Sequence, residues 1–259
     1  MKDTQNERDK RNIPLQLVGI KDLILPVVIE NKNGEPVQIS ATFSCYTDLP
    51  SHQRGTHMSR PAELLHTLED KPLTLSQRID IAMRIKKSLH AKLAMLNFTF
   101  TYHIKKESPV SKMRSYLSYP CEMQTVSNGI KSANRTTVHV PVLLLCPCSK
   151  AISEQNAHNQ RAVITIQIES ARSIFLEDLI TIAENAASSP LYTILKRPDE
   201  KFVTERSYAN PKFVEDAVRD VALKLKKMKA ITAFSVECES QESIHGHNAY
   251  ARYSQGGLQ

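Results

Sequence analysis

The sequence predicts an antiparallel α+β fold made of two similar halves, and three observations predict it. Short β-favouring runs and amphipathic helical runs follow the order strand, strand, helix, helix, strand, strand, and that order occurs twice along 259 residues. An Asn-Gly pair, Asn33-Gly34, separates the first two apolar runs, which is a strong hairpin signal. Thr74 and Gln77 have the spacing of a helix capping box directly ahead of an apolar stripe. A chain of this length can bury a sizeable core, and its 41% hydrophobic and 24% charged content is that of an ordinary folded protein.

Residues 1–19 read as a charged N-terminal lead-in. Ile20 to Glu30 and Val37 to Cys45 are strands about the Asn31 to Gly34 turn. A polar loop follows from Tyr46 to Arg60, and Ser59 with Pro61 marks a helix start. The helix opened by Thr74 runs to about His90, with Ile81, Ile85 and Leu89 on one side and Ile79 and Met83 beside them. Ala94 to Ile104 and Met113 to Met123 complete a first module over 20–127, and the polar stretch around Asn128-Gly129 is the joint. In the second module, 128–259, Val138 to Leu145 and Ala162 to Ile168 are strands, and Phe175 to Ala187 is a helix. Asn210-Pro211 opens another helix with Val214, Ala217, Val218, Val221 and Leu225 on one stripe. Ile231 to Cys238 and Asn248 to Tyr253 are the last strands, and Cys146 to Arg161, Leu195 to Tyr208 and Ser240 to His247 read as polar loops. Four strands per module leave sheet edges to be covered, so oligomerisation is expected.

No stretch approaches the run of apolar residues that a membrane helix needs, and Met1 to Pro14 lacks the apolar centre of a secretory signal. A cytoplasmic protein is expected, with no membrane partner. Five scattered cysteines in such a chain argue for free thiols. The net charge of +7 suits an anionic partner. The basic residues are dispersed and carry no interleaved aromatic stripe, which argues against nucleic acid and suits a small, highly charged anion.

The chemistry is expected around Leu143 to Arg161, where an apolar strand delivers Cys146 and Cys148 to its end and a polar loop then presents His158. Thiolate and imidazole together suit a borderline-soft divalent ion such as zinc. A cysteine beside a strand also serves as a small buried hydrophobe, and Cys-x-Cys also occurs as a redox pair. His245 and His247, at i, i+2 spacing ahead of the last strand, would point to one face and could serve as ligand and proton carrier. Glu215 falls at the edge of its helix stripe in the first turn, where it either complements the helix dipole or aims a carboxylate at a guanine-like ring. Lys150, Arg161, Arg54, Arg60 and Arg206 lie in or beside the polar loops, as solvated charges or as a polyphosphate rim. No Walker or dinucleotide glycine motif is present to bind phosphate through backbone amides.

The segments VGIKDL (Val18 to Leu23), QRGTHMSR (Gln53 to Arg60), PVLLLCPCSKAIS (Pro141 to Ser153), AHNQR (Ala157 to Arg161), RPDEKFVTE (Arg197 to Glu205), NPKFVEDAVR (Asn210 to Arg219) and IHGHNAYA (Ile244 to Ala251) resemble, in this order, the type IB GTP cyclohydrolases. The resemblance implies a tandem, bimodular tunnelling fold assembled as a homotetramer, an oligomeric barrel with active sites at subunit interfaces. It implies conversion of GTP and water to 7,8-dihydroneopterin triphosphate and formate, the entry to folate biosynthesis. Carried over by motif, Cys146, His158, Glu200 and His245 are the metal ligands, for zinc or manganese, Cys146 and His247 are catalytic, and Glu215 anchors the purine. Lys150 and Arg161 are the expected cations for the substrate. Gln155-Asn156 departs from the family pattern and touches loop shape only. The rival readings are a nucleotide-binding or RNA-binding regulator, and a tunnelling-fold enzyme that uses Cys146 as a covalent nucleophile.

Overall fold

The computed structural model describes residues 4–68 and 72–258, and its chain divides into two compact units. The first holds the described residues up to Phe100, with 122–136 and 171–173; the second holds 101–121, 137–170 and the chain from Ile174 onward.

In the first unit, β1 (Leu15–Glu30) pairs antiparallel with β2 (Pro36–Leu49), and β2 with β3 (Ala94–Glu107). The hairpin forms where Asn33-Gly34 predicts it. Asn31 Oδ1 accepts from the amides of Asn33 and Glu35, each at 2.9 Å, and Gly34 takes a φ of +76° that a side chain would resist. Strand β1 begins at Leu15, ahead of the expected Ile20, because two register shifts break the period-two pattern by which a strand is read. Asp22, at φ +60°, sits at one of them. Gly19 lies between the two, so close to β2 that a Cβ would fall 1.8 Å from the Cys45 carbonyl oxygen. Phe43 and Phe98 face each other across β2 and β3 with ring centroids 5.1 Å apart, and both are fully buried.

Helices α1 (Ser59–His66) and α2 (Leu75–Ser88) belong to the same unit. The Thr74 capping box is present in both directions: the Gln77 amide donates to Thr74 Oγ1 at 3.3 Å, and the Thr74 amide to Gln77 Oε1 at 2.9 Å. Ile81, Ala82 and Ile85 form the buried face of α2, whereas Met83 is exposed.

In the second unit the strand order is β3, β4 (Arg114–Ser127), β5 (Ser132–Leu145), β6 (Asn159–Ser170), β8 (Ile231–Ser240) and β9 (Ala249–Gln255), and the two-residue β7 (Ser189–Pro190) pairs with β5. Strands β3, β4 and β5 contribute residues to both units. Alternate residues Ala162, Ile164, Ile166 and Ile168 of β6 are buried, as their spacing predicts. They share a core with Val138, Val140 and Val142 of β5 and with the inner faces of α4 (Leu176–Ala186) and α6 (Val214–Leu225).

Two helices arise where loops are expected. The short α3 (Pro147–Ile152) starts at the Cys-Pro-Cys segment, with Pro147 at a position that needs no amide donor. The second, α5 (Arg197–Ala209), occupies most of the expected loop from Leu195 to Tyr208. It buries only Asp199 and Ser207, so it has no apolar stripe to betray it in the sequence. Among the described residues no helix is long and apolar enough to cross a membrane.

Replacing the capping residue tests the first-unit reading. Thr74→Ala is expected to cost about 1 kcal/mol of stability. In urea unfolding this appears as a lower midpoint with an unchanged slope.

Candidate functional site

Strands β5 and β6 are neighbours, and where they end the Cys146 amide donates to the His158 carbonyl at 3.1 Å. This bond sets a thiol-bearing and an imidazole-bearing residue beside each other across a loop of polar sequence. The loop is tied internally as well. Cys146 Sγ accepts from the Ser149 amide at 3.4 Å, and Ser149 Oγ accepts from the His158 amide at 3.2 Å. The Lys212 amide donates to the Leu145 carbonyl at 3.0 Å, which docks the entry of α6 on the same strand end. Asp216 closes that helix by accepting from the Phe213 amide at 3.1 Å, so the neighbouring Glu215 is not the capping acid.

These ties build a cleft of about 290 Å³ lying wholly in the second unit. Cys146, His158, Glu215, His245 and His247 all line it. The two histidines sit in the loop ahead of β9, not on the strand itself. Ring stacking, with centroids 5.1 Å apart and 19° between the planes, brings them to one side instead of strand alternation.

The remaining expected site residues lie elsewhere. Glu200 is exposed in the first turn of α5, Arg161 is exposed on β6, and neither lines the cleft. Lys150 also stands outside it, donating to the Tyr208 carbonyl at 2.6 Å with Nζ 4.3 Å from the centroid of that ring. Arg54 is paired with Glu7, and Arg60 donates to the Ser88 carbonyl at 2.5 Å, both in the first unit. Cys148 is exposed and outside the lining.

Gln160, Lys212, Ser240 and Glu242 also line the cleft; three of them lie in the polar loops expected to carry the chemistry, but none has a role that the sequence assigns individually. Gln160 was within reach, because residues two apart at a strand share a face and His158 had already been singled out. Lys212 hides in an Asn-Pro-Lys helix entry. Ser240 Oγ is buried in the cleft wall without a hydrogen-bond partner among the described residues, which is an open donor and acceptor for a bound molecule.

The donor chemistry fits a borderline-soft divalent ion, since a thiol and three imidazoles open onto one cleft. Among the described residues no three His, Cys, Asp or Glu side chains converge into a finished ligand set. The fit is therefore one of donor type and shared location.

Comparison with known proteins places the chain. A family model described as "Type I GTP cyclohydrolase folE2" matches residues 1–251. The chain belongs to this family. Among relatives named "GTP cyclohydrolase FolE2", that of Thermosipho africanus is 49% identical over 253 residues, covering 97% of this chain and 96% of that protein. The relative from Thermotoga maritima is 49% identical over 260 residues, covering 99% and 98%. Among solved structures, a uricase from Arthrobacter globiformis has a TM-score of 0.56 at 8% identity, covering 94% of this chain and 95% of that one. That likeness is one of fold, the antiparallel α+β arrangement of a bimodular tunnelling protein.

In this family member, α5 is anchored through Asp199, next to Glu200. The fully buried Asp199 carboxylate accepts from the Val110 and Ser111 amides at 2.8 Å each, from Ser111 Oγ, and from the Lys196 amide at 2.8 Å. Desolvation by burial raises its pKa, but the hydrogen bonds from Ser111, Lys196 and Val110 outweigh it and hold the carboxyl well below the usual carboxylate range. A depressed folded-state pKa contributes stability above the unfolded value, near 3.8, and loses it as pH falls towards the folded one. Asp199→Asn is therefore expected to lower the melting temperature at neutral pH. The gap to the parent protein should narrow as pH is taken below 3.8. A gap that stayed constant down to acid pH would contradict the anchoring role.

Proposed function

We propose that this chain is a GTP cyclohydrolase that converts GTP and water to 7,8-dihydroneopterin triphosphate and formate, the first step of folate biosynthesis. The observation that carries the reading is the single cleft onto which Cys146, His158, His245, His247 and Glu215 open, in a chain of this family.

Cys146, His158 and His245 would hold a divalent ion, zinc or manganese, with Glu200 named as a fourth ligand by the motif resemblance alone. Such an ion supplies Lewis acidity that makes water a nucleophile at neutral pH. Glu215, free of the capping duty that Asp216 performs, would accept from the purine ring N–H and the adjacent amino group, holding the base with C8 exposed to attack. His247 would move protons as the imidazole ring of the purine opens and the formyl group is hydrolysed. The ring of His245 stacked against His247 restrains the orientation of that proton carrier. Among the described lining residues Lys212 is the cation that a phosphate group would meet, although its Nζ is also paired with Asp220 at 2.7 Å.

The division into modules 20–127 and 128–259 is supported by the element order, which gives β1, β2, α1, α2, β3, β4 and then β5, β6, α4, α6, β8, β9 with α3, β7 and α5 added. A homotetramer would cover the edge strands β1 and β9.

The direct test is formate release from GTP by metal-loaded protein. Cys146→Ala is expected to abolish release and weaken zinc retention, and Cys148→Ala to cost less of both. Equal metal loss in the two variants would reverse the choice of thiol. Glu215→Gln replaces an accepting oxygen with a donating amide and is expected to weaken GTP binding on the order of 10- to 100-fold with metal content unchanged. Normal GTP affinity with a lowered melting temperature would make Glu215 a helix-dipole residue instead.

A further inference from the structure

His158 is held through one ring nitrogen. Its Nδ1 lies 2.8 Å from Gln160 Oε1, and Gln160 Nε2 donates to Glu242 Oε1 at 3.1 Å. A weaker contact of 3.5 Å joins Nδ1 to Ser243 Oγ. The amide of Gln160 has two unlike ends, and its neighbours decide which way it faces. An ionised carboxylate only accepts, so the amide nitrogen must face Glu242 and the carbonyl oxygen must face His158. A carbonyl oxygen accepts in turn, so the imidazole nitrogen against it must carry a proton. Gln160 is buried and Glu242 half-buried, and both line the same cleft as His158, so the chain of bonds is part of the cleft wall and not a surface coincidence.

We infer that Gln160, oriented by Glu242, is a positioning residue that fixes His158 as the Nδ1–H tautomer and leaves Nε2 as the nitrogen able to bind a metal. Imidazole ligands commonly have their second nitrogen engaged in this way, which fixes the ring and raises the basicity of the ligating nitrogen. The tautomer follows from the hydrogen bonds alone; its consequence for metal binding rests on the proposed role of His158.

The experiment reads the tautomer in metal-free, nitrogen-15-labelled protein at a pH where the imidazole is neutral. Two-bond proton–nitrogen correlations distinguish Nδ1–H from Nε2–H, and the His158 signals are assigned by their loss in His158→Asn. Native protein is expected to show Nδ1–H, and Gln160→Met a shift towards Nε2–H. The double variant Gln160→Glu with Glu242→Gln keeps an acceptor against His158 Nδ1 and reverses the bond between positions 160 and 242, where the amide now donates to the carboxylate, and it is expected to restore Nδ1–H. Should Gln160→Met fail to fold, Glu242→Gln at its half-exposed site lets the amide turn over and is expected to give mixed tautomers. Zinc affinity, from competition with a chelator, should fall about 10- to 100-fold in Gln160→Met and recover in the exchange variant. Native Nε2–H, or Nδ1–H that persists in folded Gln160→Met, overturns the inference. Zinc affinity unchanged in Gln160→Met but lowered in His158→Asn removes the positioning role. Affinity unchanged in both variants removes His158 as a ligand, a failure that the tautomer measurement keeps separate from this one.

Discussion

The hydrogen bond from the Cys146 amide to the His158 carbonyl is the constraint on which the cleft depends. It spans the six-residue helix and polar loop that separate the thiol from the imidazole along the chain. The bond exists because β5 and β6 are locked side by side by buried alternating residues, Val138, Val140 and Val142 on one and Ile164, Ile166 and Ile168 on the other. Polar chemistry at the strand ends thus inherits its geometry from apolar packing further in. The Lys212 amide bond to Leu145 extends the same logic to α6, so Glu215 faces the same cleft as Cys146.

A second polar system lies away from the cleft and has a different effect. Lys106 Nζ sits 2.6 Å from Glu184 Oε1, which also accepts from the Tyr119 hydroxyl at 2.8 Å, and the Tyr102 hydroxyl donates to Glu177 at 2.7 Å. Burial first, and the carboxylates second, push both tyrosine hydroxyls well above their ordinary range. Such groups add little net stability, but each is left costly if its partner moves. They therefore favour one placement of α4 against β3 and β4 over neighbouring placements that would bury the same apolar area.

The parts of the fold that were legible in the sequence are those where one local signal dominates. Asn31 and Gly34 specify the hairpin, Thr74 and Gln77 the start of α2, and the period of Ala162 to Ile168 the strand β6. The start of β1 was hidden because register shifts on either side of Gly19 scramble the alternation. Helix α5 was hidden because its anchor is a buried carboxylate held by a distant hairpin loop, which no local pattern records. In the cleft, Cys146, His158, Glu215, His245 and His247 could be named from chemistry and motif. The contact of Lys150 could not be read, since its ammonium group takes the carbonyl and ring of Tyr208 on a helix that the sequence conceals. Gln160 and Glu242 act only as a pair 82 positions apart, and neither has a signature alone.

Helix α5 is tied at both ends by polar groups. Asp199 fixes its first turn to residues 110 and 111, while the Lys150 bond to Tyr208 and the Asn210 side-chain bond to the Ala187 carbonyl hold its last turn. Little apolar surface lies beneath it. Local opening is cheapest where few apolar contacts must be given up. The amides of α5 are thus set to exchange with solvent through a sub-global excursion that leaves β5, β6 and the cleft wall closed. Any opening of α5 would have to break those polar ties at its two ends and not an apolar core.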